Sequence, residues 1–218
     1  MVEIHPPHGP VHSVKDFLYH LLTVIIGILI ALSLEGLLEW HHHRALAEQA
    51  RSNLMSEIRG NHDRLQKGLA SAPDADHRLQ ATVKAIEAIR KTHSPTPDLD
   101  WSFGLVVFYN TAWQTAASTG ALSYMEYPEV QEYTRIYALQ DQFNSVQQRS
   151  LEQWLALQKW GVRIDPKKGF SQLPPEDLAR IEDAASTALI YTQGEESLAR
   201  TLIQEYEREL GNAEPSSK

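Results

Sequence analysis

After a polar start, the chain runs into an unbroken apolar stretch. Residues 17–34 read FLYHLLTVIIGILIALSL, with no formal charge and 12 residues that are Leu, Ile, Val or Phe. As a helix this stretch rises ~27 Å, close to the ~30 Å hydrocarbon core of a bilayer. Its 12 large apolar side chains favour insertion by ~4–7 kcal/mol together. Glu35 and Glu39 then fall at the interface, and Trp40 suits the aromatic belt. A cleaved signal would need a shorter run and a positive flank. Ala31-Leu32-Ser33 offers a small-residue site, but the flank is only Lys15 beside Asp16. A buried core helix has a usual run of ~10–14 residues. The pattern therefore predicts one retained transmembrane helix with its interface over 14–40.

Beyond the span the helical period continues through Leu46, Ala50, Leu54, Ile58, Leu65 and Leu69. Ser71-Ala72-Pro73 reads as a breaker, so one helix is expected over 14–69, carrying the span on as a stalk. A second is expected over 74–92, with Leu79, Val83, Ile86 and Ile89 on its apolar face. His93-Ser94-Pro95-Thr96-Pro97 reads as a linker. Residues 101–127 are the most aromatic. Leu105–Ser118 is expected to be a helix ended by Gly120 in the left-handed conformation. The alternative, a strand over Phe103–Tyr109, lacks a partner strand elsewhere. Pro128 suits a first helical position. A helix to about Gly161 follows, with Val130, Tyr133, Tyr137, Phe143, Val146, Leu151, Trp154 and Leu155 inward. Asp165–Gly169 reads as a turn. Pro174-Pro175-Glu176-Asp177 opens a last helix to Leu210, its acids complementing the dipole. Leu178, Ile181, Ala185, Leu189, Leu198, Leu202 and Tyr206 form its buried side. The fold class is all-α: a transmembrane helix and stalk, then an elongated antiparallel helical bundle over 41–210. Residues 1–13, rich in Pro and His, read as an extended tail, with Ser13 as a cap. Residues 211–218 read as a disordered tail.

The span has a patterned face. Thr23, Gly27 and Ala31 recur every four residues, a small-xxx-small stripe that lets another helix approach closely. Glu35 extends it to one side and His20 to the other. The stripe predicts a helix-packing face for self-association or for other membrane-protein subunits. The competing reading is that small residues face lipid harmlessly. His20, inside the span, is also a candidate haem or metal ligand. His41-His42-His43 invites a metal as well, but successive helical residues point ~100° apart and cannot all bind one ion. A polar collar at the interface is the expected role, and no cofactor is expected.

Trp101, Phe108, Tyr109, Trp113 and Tyr124 form a candidate aromatic pocket, set against the simpler reading that these rings fill the core.

Composition narrows the functions. The 218 residues carry a net charge of −8, with no dense Lys/Arg cluster, which argues against nucleic acid as a partner. Cysteine is absent, which excludes disulfides, thiolate metal sites and cysteine nucleophiles. No phosphate-binding loop, dinucleotide fingerprint or His-Glu-x-x-His occurs, and no spacing ties Ser, His and Asp into a catalytic set. The chain is not expected to be an enzyme. Lys15 on one side against Arg44 and Arg51 on the other weakly favours a cytoplasmic body.

Val24-Ile25-Ile26-Gly27-Ile28-Leu29-Ile30-Ala31-Leu32, a charged helix after it, then Ala112-Trp113 and Ser118-Thr119-Gly120-Ala121-Leu122 carry a resemblance. Over most of its length the chain resembles a broad group of uncharacterised bacterial single-pass membrane proteins with a helical C-terminal domain of unknown function. The resemblance implies an inner-membrane seat and brings no established catalytic residues. Better-known members have a Lys/Arg-rich start that implies a periplasmic domain, where this chain has His and Pro. The expected function is a non-catalytic, membrane-anchored interaction protein, a scaffold or accessory subunit. Alternatives are a sensor or small-molecule-binding module acting through a partner, and a metal- or haem-binding subunit using His20 or His41–His43.

Overall fold

A computed structural model describes residues 13–92, 99–164 and 169–213. Among them there are four α-helices and no strand: α1 (Val14–Thr92), α2 (Thr111–Ser118), α3 (Tyr127–Arg163) and α4 (Pro175–Ala213). Short 3-10 turns lie at Ala121–Tyr124 and Phe170–Gln172. The chain divides into two compact units, Met1–Gln49 and Ala50–Lys218, and α1 contributes to both. The expected tail before Ser13, the linker over 93–97, the turn over 165–168 and the tail from 214 onward lie outside the described residues. Gly211–Ala213, expected in that tail, are helical.

In the first unit Ser13 caps α1, accepting a hydrogen bond on Oγ from the Lys15 N–H at 3.2 Å. Thr23 and Ser33 return their hydroxyls to the carbonyls of Tyr19 and Leu29, so neither leaves a polar group unmet in an apolar surrounding. Every residue from Ser13 to His42 is exposed. The large apolar side chains among them, from Val14 to Trp40, are each at least 42% exposed. Burying one such side chain is worth ~1.5–3 kcal/mol, so this surface strongly favours leaving water. This helix is long and apolar enough to cross a membrane.

The second unit is a helical bundle. α1 and α3 run in the same direction: Arg51 pairs with Glu129, Glu57 with Tyr137, and Arg78 lies over Trp154. α4 runs antiparallel to both. His62 faces Glu207 and Arg90 pairs with Glu182 across α1 and α4, while Arg135 faces Glu205 across α3 and α4. Leu54, Ile58, Leu65, Leu79 and Ile86 of α1, Ile136 and Leu157 of α3 and Ile181, Leu202 and Tyr206 of α4 are all fully buried, and Leu79, Ile86, Leu157 and Ile181 share one core cluster.

Two expectations are corrected. Ser71-Ala72-Pro73 does not end the first helix; α1 passes through Pro73. A proline inside a helix removes one backbone hydrogen bond and costs ~3 kcal/mol. Pro73 itself is exposed. Buried Leu65 on one side and Leu79 and Ile86 on the other each contribute a comparable amount to keeping the helix packed.

Residues 105–110 are not helical either; α2 begins only at Thr111. Residues 99–110 form an extended strap without a strand partner. It runs antiparallel to α1 and α3, from Trp101 near Thr82 and Gln158 to Tyr109 near Asn61. The strap carries the chain back along the bundle, which is what allows α3 to run parallel to α1. Gly120 has the expected left-handed conformation, with φ of 75°, in the turn after α2.

Candidate functional site

A backbone buried in a helical bundle needs hydrogen-bond partners even where no ladder exists. Side-chain amides supply them here. The Asn61 amide nitrogen donates to the Tyr109 carbonyl at 2.6 Å, and its oxygen accepts from the Tyr109 N–H at 2.9 Å. Gln147 repeats the device on Val106, accepting from its N–H at 2.7 Å and donating to its carbonyl at 2.9 Å. Gln158 donates to the Trp101 carbonyl at 3.2 Å, and the Trp101 indole N–H donates to Thr82 at 3.0 Å. The strap is thus fixed at three points, to α1 and α3 in turn. Close approach at Gly68 completes the seat: a Cβ there would overlap Cγ2 of Val106.

Behind the strap lies a cavity of about 600 Å³, in the range of small-molecule sites. Its walls come from α1, the strap, α3 and α4. Leu65, Leu69, Phe103, Phe143, Leu151 and Trp154 make it mainly apolar, and Arg64, Lys67, Arg78, Asp74, Glu195 and Glu196 add charge. Arg64 and Arg78 lie 14 positions apart on α1, which is ~21 Å of helix.

The charged groups differ in how well they are met. Arg64 has its guanidinium 4.1 Å above the Tyr109 ring. Glu196 is bonded to Arg200 at 2.5 Å. Arg78 lies 6.0 Å over the Trp154 ring and 3.8 Å from the Asp100 carboxylate, and its Nε is buried without a hydrogen bond. Asp100 itself is held below the ordinary carboxylate range, chiefly by hydrogen bonds from Ser102. Oε1 of Glu195 is also buried and unbonded. Burial pushes the Glu195 carboxyl up, against a smaller opposite effect from the Ser150 hydroxyl. Beside the cavity residues on α1, Asp76 is raised too, by burial first and then by the Glu196 charge.

A second polar cluster ties α1 to α2 and α3. Glu57 accepts from the Tyr137 hydroxyl at 2.6 Å and from the Ala112 N–H at 2.9 Å, so it caps α2 from outside that helix. Burial, then the Glu57 hydrogen bond, raises the Tyr137 phenol above its ordinary value. This arrangement holds α2 in place.

The five aromatic residues expected to share a pocket do not line this cavity. Trp101 is buried against Phe170, ring centroids 5.4 Å apart. Phe108 meets Phe143 edge-on at 5.3 Å, and Trp113 stacks on Tyr137 at 5.1 Å. Tyr109 and Tyr124 are mainly exposed. Within the strap Trp101, Phe103, Val106 and Phe108 are the more buried positions while Val107 and Tyr109 are exposed, and Trp113 and Tyr124 lie beyond it, in α2 and the following 3-10 turn. The residues that line the cavity instead, Arg78 and Glu195 among them, are ordinary helix-surface types in the sequence, and no local signal marked them.

On the first unit, His20, Thr23, Gly27, Ala31 and Glu35 are all exposed on α1. Nothing lies within 4 Å of a Cβ placed on Gly27. His41 meets Trp40 edge-on, and the His42 and His43 rings sit 6.1 Å apart at a tilt. Among the described residues no group of three or more His, Asp or Glu side chains is placed to share a metal ion. No protein family, no curated protein and no solved structure matches the chain.

Proposed function

We propose that the chain is a non-catalytic, single-pass interaction protein of the bacterial inner membrane, a scaffold or accessory subunit that meets other membrane subunits through its span. The observation that supports this reading is the exposed apolar stretch of α1 from Val14 to His42. On that helix Thr23, Gly27 and Ala31 offer a partner helix a face on which backbones can approach. Gly27→Leu tests it. A Cβ placed at Gly27 has no neighbour within 4 Å among the described residues, so the backbone accepts the substitution and a loss points to contacts between molecules. After mild-detergent extraction, the variant should lose co-purifying subunits or fall to a smaller oligomer. Unchanged company and unchanged size would count against the reading.

A second reading has its own support. The cavity of about 600 Å³ behind the strap suits a module that takes up a small molecule and passes the event to a membrane partner.

A further inference from the structure

We propose that the cavity between α1, the strap, α3 and α4 binds an amphipathic carboxylic acid with an extended apolar chain, its carboxylate held by Arg78. This inference rests on the second reading above and adds the class of ligand.

Three features of the site converge on that class. The first is shape. The cationic residues at its limits, Arg64 and Arg78, stand 14 positions apart on one helix, so the space they bound extends ~21 Å along α1. An acyl chain fits such a length, whereas a compact ring system would leave much of it empty.

The second is the lining. Leu65, Leu69 and Leu151, with Phe103, Phe143 and Trp154, supply apolar wall from three separate elements. Two of these side chains are already locked by packing: Phe143 by Phe108, and Trp154 by Phe103 at a ring separation of 6.1 Å. A wall held in this way is preorganised, so a guest need not order it.

The third is the unmet polar group. The Arg78 Nε–H is buried without a hydrogen bond, and its ion-pair partner Asp100 stands 3.8 Å away and is mainly exposed. A buried guanidinium donor without an acceptor is costly, and a carboxylate satisfies it with a charge-assisted bond. Glu195 Oε1 is the other unbonded polar atom on the wall. Burial raises the Glu195 carboxyl, which lessens its repulsion of an acid guest.

Sodium decanoate is the probe, titrated by calorimetry into the full chain in lipid nanodiscs, with empty nanodiscs as the blank and decanol as the uncharged analogue. The expected result is saturable binding of one decanoate per chain. Arg78→Gln should weaken it at least tenfold and leave decanol unaffected. Leu151→Trp, which fills the cavity, should abolish both, with circular dichroism confirming the bundle; Ala199→Leu serves if that variant does not fold. Heat no greater than that of empty nanodiscs overturns both the proposal and the small-molecule reading. Saturable binding that is lost on filling the cavity but indifferent to Arg78→Gln overturns the carboxylate class and keeps the small-molecule reading. Binding that survives a folded, filled variant overturns the site.

Discussion

Asn61 and Tyr109 are joined by a two-way bond, in which one side-chain amide meets both the N–H and the carbonyl of a single residue. Asn61 is fully buried, and its removal takes the protein partner from two backbone groups of half-exposed Tyr109. Asn61→Ala should destabilise the bundle by about 1–3 kcal/mol. Denaturant unfolding of the full chain in detergent measures the loss. Faster amide exchange at Tyr109 would place it on the strap.

Gly68 and Gly194 both sit inside helices, yet they should respond oppositely to alanine. Alanine in a helix interior gains ~0.5–1 kcal/mol over glycine. At Gly194 the new methyl group meets Val146 at 3.8 Å, an ordinary contact, so Gly194→Ala should be neutral or stabilising. At Gly68 it would overlap Val106, and overpacking of this kind costs ~1–3 kcal/mol. Gly68→Ala should lower the thermal midpoint, and adding Val106→Ala should restore most of it.

Tyr133, Tyr137 and Tyr206 are all raised above the ordinary phenol value, in each case chiefly by burial. The folded chain therefore keeps these protons at a pH where the unfolded chain releases them. Their contribution is intact below pH ~10 and declines above it, by up to ~1.4 kcal/mol per pH unit for each tyrosine. Alkaline unfolding should be steep. Tyr206→Phe should reduce the steepness by one proton. Midpoints measured from pH 7 to 11.5 check both points.

Glu195 gives the matching experiment on the acid side. Its folded carboxyl is raised by burial, so the stability tied to its protonated form is present below the unfolded carboxyl range and lost as pH rises through the folded value. Glu195→Gln keeps the shape and removes the charge. The variant should be more stable than the parent at pH 8, with the advantage disappearing toward pH 4. An advantage independent of pH would point to packing instead.

These predictions rest on features of very different visibility in the sequence. The apolar helix and the starts of α3 and α4 follow from periodicity and from Pro128 and Pro175, and Gly120 marks its own turn. Each is decided by neighbours within a few positions. The passage of α1 through Pro73 depends on packing that holds the helix on either side, which no local rule sees. The strap was harder still. Its partners are single amides, Asn61 and Gln147, separated from it by 48 and 41 positions, and a lone Asn or Gln on a helix resembles any solvated side chain. The strap has no partner strand among the described residues because side chains do the work of a ladder. The cavity inherits that obscurity, since its walls meet only after the strap is seated.

The order in which the walls are made has a consequence for biosynthesis. The α4 contribution to the cavity, Thr192 to Ala199, is translated last, more than 80 residues after the strap. Until it arrives, Phe143 and Trp154 line an open trough, and unfinished chains of this kind are prone to aggregate. A ribosome stalled short of Thr192 would leave a chain bearing the apolar stretch over 17–34 but an unclosed body, a natural client for chaperones and quality-control proteases.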